Sequence, residues 1–318
     1  MNKFLLMQSL GGFTHDWNTI FQSNVDTFIQ AEEYDFTSPT FFKDLKKYNR
    51  KNYNFVLGGT QNSVSAKYLD FGEVKYWSDY FAYKLAYYLN VEKYLEILKP
   101  QDITIPFTFY VRNSREFREY LHNNLRQKDV LKYGDWSYND NSLDDQIIYL
   151  PVEKQLSSFY NPLGLHLKSY NNSFLDIVCE TYNDEQEKYY ITEKTWRPIL
   201  WGKPFLIAGI SGINKRMEKM GFKLFDEIID YSFDAEYDWQ KRMTIISEQV
   251  VKLCKSNHNF NELYYDVLYP KINHNRALLM NNILKQKDIP EVCLQVPLYS
   301  EYIKGAQKNI EKVLDIWS

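Results

Sequence analysis

Two short apolar segments, separated by a polar loop and a helix-like stretch, constrain the fold of this 318-residue chain more than any other feature. The first covers residues 174–179 and ends at the carboxylate of Glu180, and the second covers residues 204–208 and follows a Gly-Lys-Pro sequence. Between them, Tyr-Ile-Thr-Glu-Lys begins at Tyr190 and opens a helical pattern. Strand, helix and strand in this order predict a β-α-β unit, in which the loop after a strand lies at the carboxyl edge of the sheet.

The start of this predicted helix carries side chains that suit a polar ligand. Backbone N–H groups at a helix N-terminus and the helix dipole favour an anion. Lys194 and Arg197 add positive charge, and Glu193 can accept hydrogen bonds from sugar hydroxyls. A diphosphate that carries a sugar would match all three features. The alternative interpretation is a first-turn carboxylate beside a solvated lysine, because Glu is favoured near any helix start.

The rest of the chain continues the alternation of strands and helices. We expect strands at residues 4–10, 54–57, 107–111, 146–150, 174–179 and 204–208. We expect an amphipathic helix at residues 77–98, long helices within 235–285 and one more at 299–317. This pattern predicts an α/β fold with two Rossmann-like doubly wound domains and C-terminal helices.

The prolines at positions 100 and 106 bracket a plausible junction between the two domains. We therefore expect an N-terminal α/β acceptor domain at residues 1–100, a donor domain at 101–285 and a helical tail at 286–318.

Residues 105–245 resemble a known family. The order of strand, Glu180, loop, Tyr-Ile-Thr-Glu-Lys, helix and Pro-led strand ending in Gly is similar to the donor-binding half of the GT-B glycosyltransferases, specifically the fucosyltransferase-like group. Residues 107–113, followed by Arg118 with Leu121 and Leu125 behind it, resemble the strand, polar loop and Arg-led helix that open that domain. The resemblance implies a GT-B fold and transfer of a sugar from a nucleotide diphosphate to an acceptor hydroxyl.

In that group, the arginine at the position of Arg118 and the Glu193–Lys194 pair hold the nucleotide diphosphate. Arg112 and Arg115 precede Arg118 in the same loop and first turn, so we expect at least one of the three to meet phosphate. The ordinary alternative for Arg118 is an exposed helix arginine. The expected donor-binding residues are Arg112, Arg115, Arg118, Glu180, Tyr190, Thr192, Glu193, Lys194 and Arg197.

An inverting transfer also needs a base near the acceptor hydroxyl. Asp16 and His15 follow the first predicted strand, where GT-B enzymes often place the acceptor-side loop, and they are the candidate catalytic residues. The alternative is that Asp16 caps a helix and His15 lies in a surface loop.

A basic run with interleaved tyrosines at residues 46–53 suggests a different acceptor. Lys46, Lys47, Arg50 and Lys51 alternate with aromatic rings in the manner of a surface that tracks a nucleic-acid backbone. A solvated charged face is the simpler interpretation. If the run is functional, one alternative is a glycosyltransferase whose acceptor is a modified base in DNA instead of a glycan or small molecule. The other is a catalytically silent nucleic-acid-binding protein on the same fold.

Composition and missing motifs exclude other classes. The net charge of −3 argues against a broad cationic surface for wrapping nucleic acid. No Asp-x-Asp pair, P-loop, nucleophile elbow, His-Glu-x-x-His helix or dinucleotide fingerprint occurs, so we expect a metal-independent transferase with no cofactor besides its nucleotide-sugar co-substrate. Three widely spaced cysteines predict a reducing, cytoplasmic location. No stretch approaches the ~20 apolar residues of a membrane span.

Overall fold

The computed structural model describes residues 3–6, 25–30, 45–47, 53–58, 69–89, 91–97, 102–111, 114–138, 170–181, 183 and 190–317. Within these ranges the protein is α/β, with two four-stranded sheets whose paired strands are all parallel. This arrangement is compatible with the Rossmann-like class that the alternating pattern predicts.

The first sheet has the order β1-β2-β3-β4, formed by Lys3–Leu6, Val25–Gln30, Tyr53–Gly58 and Gly72–Trp77. Phe28 pairs with Phe55 across β2 and β3, and their rings stack with centroids 5.6 Å apart. A Cβ at Gly72 would collide with the carbonyl of Tyr53, so this close approach of β4 to β3 requires glycine. Two helices follow this sheet, α1 at Tyr80–Tyr87 and α2 at Val91–Ile97.

The second sheet has the order β6-β5-β7-β8 and contains the segments that the sequence singled out. Its strands are β5 at Ile105–Val111, β6 at Asp135–Tyr138, β7 at Ser173–Cys179 and β8 at Phe205–Ala208. Every residue of β7 and β8 is buried, as expected for strands of a parallel sheet that is covered on both faces. Helix α3, Glu116–Gln127, lies between β5 and β6 in the chain, and helix α4, Glu193–Trp201, lies between β7 and β8.

Helices α3 and α4 cover opposite faces of this sheet. The imidazole of His122 on α3 stacks on Phe109 of β5 with ring centroids 6.4 Å apart. The guanidinium of Arg197 on α4 lies 5.9 Å from the ring centroid of Tyr110. Successive residues of a strand point to opposite faces, so the two helices are on opposite sides. The strand order accordingly reverses between β5 and β7.

The remaining helices form the C-terminal third. They are α5 at Ile213–Lys219, α6 at Trp239–Lys255, α7 at Phe260–Glu262 with a π-helical continuation at Leu263–Leu268, α8 at Tyr269–Leu284, α9 at Glu291–Leu294 and α10 at Pro297–Trp317. The predicted long helices are confirmed. Helix α10 packs along α1, where the rings of Tyr80 and Tyr299 meet edge to face with centroids 5.6 Å apart.

Some predicted elements differ from the structure. The helix expected at 77–98 is two helices, because Trp77 ends β4 by pairing with Gly58, and α1 begins only at Tyr80. Pro106 is the second residue of β5 rather than part of a linker, a position near a strand start that a proline tolerates. Strands β2, β4 and β6 were not predicted, and the strand expected at 146–150 lies outside the described residues. The domain boundaries after residues 100 and 285 stay predictions.

None of the helices in the described part of the chain has the length and apolar character needed to cross a membrane.

Candidate functional site

The carboxyl ends of β5 and β7 form the candidate site. The strand order of the second sheet reverses between these two strands, and doubly wound sheets bind their ligands in the crevice at such a reversal. Two chain segments arrive there from opposite faces. One is the start of α3, capped by the extended residue Arg115, and the other is the start of α4, capped by Thr192.

Glu180 organises the start of α4. It directly follows β7 and is fully buried. Its Oε1 accepts hydrogen bonds from the Thr192 backbone N–H at 3.0 Å and the Thr195 hydroxyl at 2.6 Å. Its Oε2 accepts from the Thr192 hydroxyl at 2.7 Å and the Thr181 N–H at 3.2 Å. A buried carboxylate with this many donors is well compensated for its loss of water.

The chain therefore supplies its own anion at this helix N-terminus. The Thr192 hydroxyl, which donates to Glu180, also accepts from the Lys194 backbone N–H at 3.3 Å. The sequence interpretation assigned this position to an external anion. In the structure, the Glu180 carboxylate binds the N–H of the cap residue Thr192 and the hydroxyls of Thr192 and Thr195, and it joins the end of β7 to α4.

Arg118 joins the two sides of the strand reversal. Its side chain is buried, and its Nε and Nη2 donate to the carbonyl oxygen of Glu180 at 3.2 and 2.6 Å. Nη2 also lies 3.3 Å from the carbonyl oxygen of Cys179. Helix α3 is thereby bonded to the carboxyl end of β7. Burial raises the pKa of Cys179 to about 12, so its thiol is not a nucleophile at neutral pH.

At this edge the basic side chains of Lys194 and Arg115 reach solvent, and the neighbouring carboxylate of Glu116 is exposed as well. Arg115 is exposed, and the side chain of Lys194 is 21% exposed. The Lys194 ammonium lies 3.2 Å from Glu193 Oε1 and donates to the Thr192 hydroxyl at 3.1 Å. Glu193 itself is buried. Glu193 and Lys194 thus form an ion pair at the start of α4.

Arg197 lies deeper, on the face of the sheet beneath α4. Its Nη2 is 3.1 Å from Oδ2 of Asp176, a fully buried residue in the middle of β7. The Tyr170 hydroxyl donates to the same oxygen at 2.9 Å, and the Arg197 guanidinium lies 5.4 Å from the Tyr170 ring centroid. This cluster holds α4 against β7. Its signal in the sequence was a lone Asp inside an apolar run, which we had not assigned a role.

Lys203 extends the same buried cluster. Its ammonium donates to the Asn171 carbonyl at 2.9 Å and to the Ser173 carbonyl. The same ammonium lies 5.3 Å from the Tyr170 ring centroid. Burial lowers the pKa of Lys203 to about 7, and the charge of Asp176 opposes that shift. The Gly-Lys-Pro sequence thus marks a structural lysine that the sequence analysis did not assign.

Tyr190 connects the candidate site with the first half of the chain. It is buried, and its ring meets Phe81 of α1 edge to face with centroids 5.8 Å apart. The role of Tyr190 in donor binding stays a prediction, and its ring already packs on a protein side chain.

The other predicted residues are only partly within the described chain. Lys46 and Lys47 are exposed on a helical turn at residues 45–47. The remaining ones lie outside the described residues: His15, Asp16, Arg50, Lys51 and Arg112.

A cavity of about 1080 Å³ lies elsewhere, between α5 and the segment 224–237. None of the predicted site residues lines it. Its charged lining is Glu218, Asp226, Asp230 and Asp234 with a single lysine, Lys215. This charge disfavours a diphosphate, so the cavity is a poor alternative location for a nucleotide.

Among the described residues, no group of three or more His, Cys, Asp and Glu side chains could hold a metal ion. Comparison with known proteins gives no match for this chain, whether with protein-family models, curated proteins or solved structures.

Proposed function

We propose that this protein is a glycosyltransferase that takes a sugar from a nucleotide diphosphate bound at the carboxyl ends of β5 and β7. One observation carries the proposal: the strand order reverses between β5 and β7, and the starts of α3 and α4, which carry Arg115 and Lys194, both lie at this reversal. A diphosphate needs positive charge around an open crevice, and this edge combines Arg115 with Lys194.

The residues take different roles in this proposal. Lys194 and Arg115 would neutralise the leaving diphosphate, where negative charge develops as the glycosidic bond breaks. The Glu193 carboxylate, whose Oε1 lies 3.2 Å from the Lys194 ammonium, would orient that ammonium. It would also accept a hydrogen bond from a hydroxyl of the sugar or ribose. Glu180 and Arg118 would act as positioning residues, because both are buried and bonded to the chain itself.

The remaining steps follow from the sequence predictions. An acceptor hydroxyl would be deprotonated by Asp16 or His15 and would attack the anomeric carbon, while the carbon–oxygen bond to the diphosphate breaks. The absence of an Asp-x-Asp pair from the sequence favours charge neutralisation by Lys and Arg side chains.

Calorimetry with nucleoside diphosphates and nucleotide sugars tests the donor site directly. We expect Lys194→Ala to weaken binding about 10-fold or more, because a charge-assisted bond to phosphate is worth more than about 1.4 kcal/mol. The free energy of unfolding should fall by less than the binding free energy does, since the Lys194 side chain is partly exposed and lies outside the apolar core. Lys132→Ala is the matched control, because Lys132 is also a lysine paired with a nearby carboxylate, at the surface after α3.

Arg115→Ala and its control Arg126→Ala give an independent measurement. Both arginines are exposed on the same helix, but Arg126 is in its last turn. Weaker nucleotide-sugar binding for Arg115→Ala, but not for Arg126→Ala, would support a donor site at the carboxyl ends of β5 and β7. Wild-type protein that binds no nucleotide sugar, yet binds DNA with a steep salt dependence, would replace the glycosyltransferase by the silent nucleic-acid-binding alternative.

A further inference from the structure

The carboxyl group of Asp79 occupies an unusual position at the start of α1. Asp79 follows β4 and is 6% exposed. It occupies the N-cap position, yet its side chain makes no capping hydrogen bond to the helix. Its Oδ1 is buried without a hydrogen-bond partner in the described part of the chain. A buried carboxylate oxygen without a donor is costly when the group is ionised and far less so when it is protonated.

The turn between α8 and α9 packs against this position. The Tyr83 hydroxyl of α1 lies 3.2 Å from the Asn282 carbonyl and 3.5 Å from the Lys287 carbonyl. Gln286 and Asp288 in the turn have φ angles of 52° and 59°. This left-handed conformation is unfavourable for residues other than glycine, so the turn depends on its contacts to keep its shape.

The charges around Asp79 add to the effect of burial. The pKa of Asp79 is raised to about 7, with burial as the largest cause and the Asp288 carboxylate as the second. The backbone N–H of Asp79, the Trp77 indole and the Lys287 ammonium oppose the shift. The Trp77 indole N–H does not reach hydrogen-bond geometry with a partner in the described residues, so its effect is weak. The Tyr83 phenol is the other titratable group at this contact, and it stays neutral because Asp79 and burial raise its pKa.

We propose that Asp79 and the turn at residues 285–288 form a pH-sensitive latch, which is closed while the Asp79 carboxyl is neutral and loosens when it ionises. Ionisation places a second negative charge beside Asp288, in a site that lacks a donor for Oδ1. The turn is exposed and can move away to admit water. Phe81 of α1 also contacts Tyr190, in the segment that leads into α4, so the latch lies between the C-terminal helices and the start of α4.

The direction of the pH effect follows from linkage. The pKa of Asp79 is higher in the folded state than its ordinary value of 3.8. The folded state therefore binds the proton more tightly, and this contribution to stability is complete below about pH 4 and is lost as the pH rises to about 7. Above this range the carboxylate is ionised in both states and the contribution does not change further.

Hydrogen exchange of the peptide covering residues 285–290, measured in the full chain at about pH 5 and about pH 8 and corrected for the intrinsic rate, tests the latch. In the wild type we expect at least about a threefold loss of protection at the higher pH. Asp79→Asn should abolish this loss and raise the melting temperature relative to the wild type by about 3 °C or more at about pH 8.

Two further variants separate the latch from a general effect of charge. Asp288→Asn should reduce the pH dependence of protection at residues 285–290 in part, because it removes the neighbouring negative charge while Asp79 stays buried. Asp129→Asn is the matched control, since Asp129 is an exposed aspartate that also has a positive φ, of 55°. Protection of residues 285–290 that is equal at both pH values in the wild type would overturn the proposal. Equal pH profiles for wild type and Asp79→Asn would also overturn it. If Asp79→Asn does not fold, the wild-type and Asp288→Asn profiles decide.

Discussion

At the scale of single residues, Glu180 has the largest effect on the geometry of the candidate site. Its two carboxylate oxygens accept from four donors, of which three belong to the first turn of α4 or its cap. Arg118 binds the backbone carbonyl of the same residue. The end of β7, the start of α3 and the start of α4 therefore meet at one buried residue, which makes it decisive for the position of Lys194.

Glu180→Gln should expose this dependence. Glutamine keeps one carbonyl oxygen as an acceptor. Its NH2 group replaces the other oxygen and cannot accept, so the two donors that faced this oxygen lose their acceptor. Each buried donor without a partner costs about 1–3 kcal/mol, so we expect the free energy of unfolding to fall by about 2 kcal/mol or more. Urea denaturation measures this value. Glu116→Gln, an exposed first-turn glutamate of α3, is the control and should change stability by less than about 0.5 kcal/mol.

At the scale of elements, side chains bond the outer edge of β8, where the described residues place no further strand. Asn214 accepts from the Ile207 N–H at 3.2 Å and donates to the Ile207 carbonyl at 3.0 Å, as a paired strand would. The Tyr231 hydroxyl donates to the Phe205 carbonyl at 3.0 Å, and Arg242 Nε donates to the Gly209 carbonyl at 3.0 Å. These bonds protect a sheet edge that would otherwise be open to pairing with another chain.

Asn214→Ala should destabilise this edge specifically. Asn214 is fully buried, so its removal leaves the N–H and carbonyl of Ile207 and Oδ1 of Asp234 without this partner. We expect a loss of about 2–4 kcal/mol in the free energy of unfolding. The same experiment on Asn281→Ala, an exposed asparagine of α8, gives the baseline. Equal stabilities for the two variants would contradict the role of Asn214.

At the scale of the whole molecule, the C-terminal helix α10 is bound to α1, which follows the first sheet. Asn309 Nδ2 donates to the carbonyls of Ala86 and Tyr87 at 3.0 and 2.9 Å, and the Tyr87 hydroxyl donates to Glu301 at 2.8 Å. The two helices approach closely at Gly305, where a Cβ would collide with the Tyr87 ring. Residues far apart in the sequence thus stabilise each other's position.

Gly305→Val tests this contact. A branched side chain would push α10 away from the Tyr87 ring, and overpacking of this kind costs about 1–3 kcal/mol. Lys308→Val introduces the same side chain at an exposed position of the same helix, so it reports the helix propensity alone. We expect thermal melting to show a clear loss for Gly305→Val relative to Lys308→Val. A stability at or above that of Lys308→Val would show that Tyr87 moves aside without cost.

The strongest sequence patterns predicted their elements correctly. The apolar runs at 107–111, 174–179 and 204–208 are β5, β7 and β8, and the Thr-Glu-Lys sequence starts α4. Strands β2, β4 and β6 were missed, because their mixed polar and apolar residues gave no clear period of two. The glycosyltransferase assignment, the donor residues and the acceptor stay predictions.

The α/β class is readable from the one-dimensional pattern, since alternating apolar runs and amphipathic helices bury their faces in such layers. Local patterns also placed Lys194 at a helix start. Three-dimensional packing sets which charges serve the fold and which reach solvent. Glu180, Arg118 and Arg197 have the same residue types as a ligand site would use, yet each finds its partner in a segment distant in sequence. Burial and partner geometry arise from strand order and helix packing, and the one-dimensional pattern does not contain them.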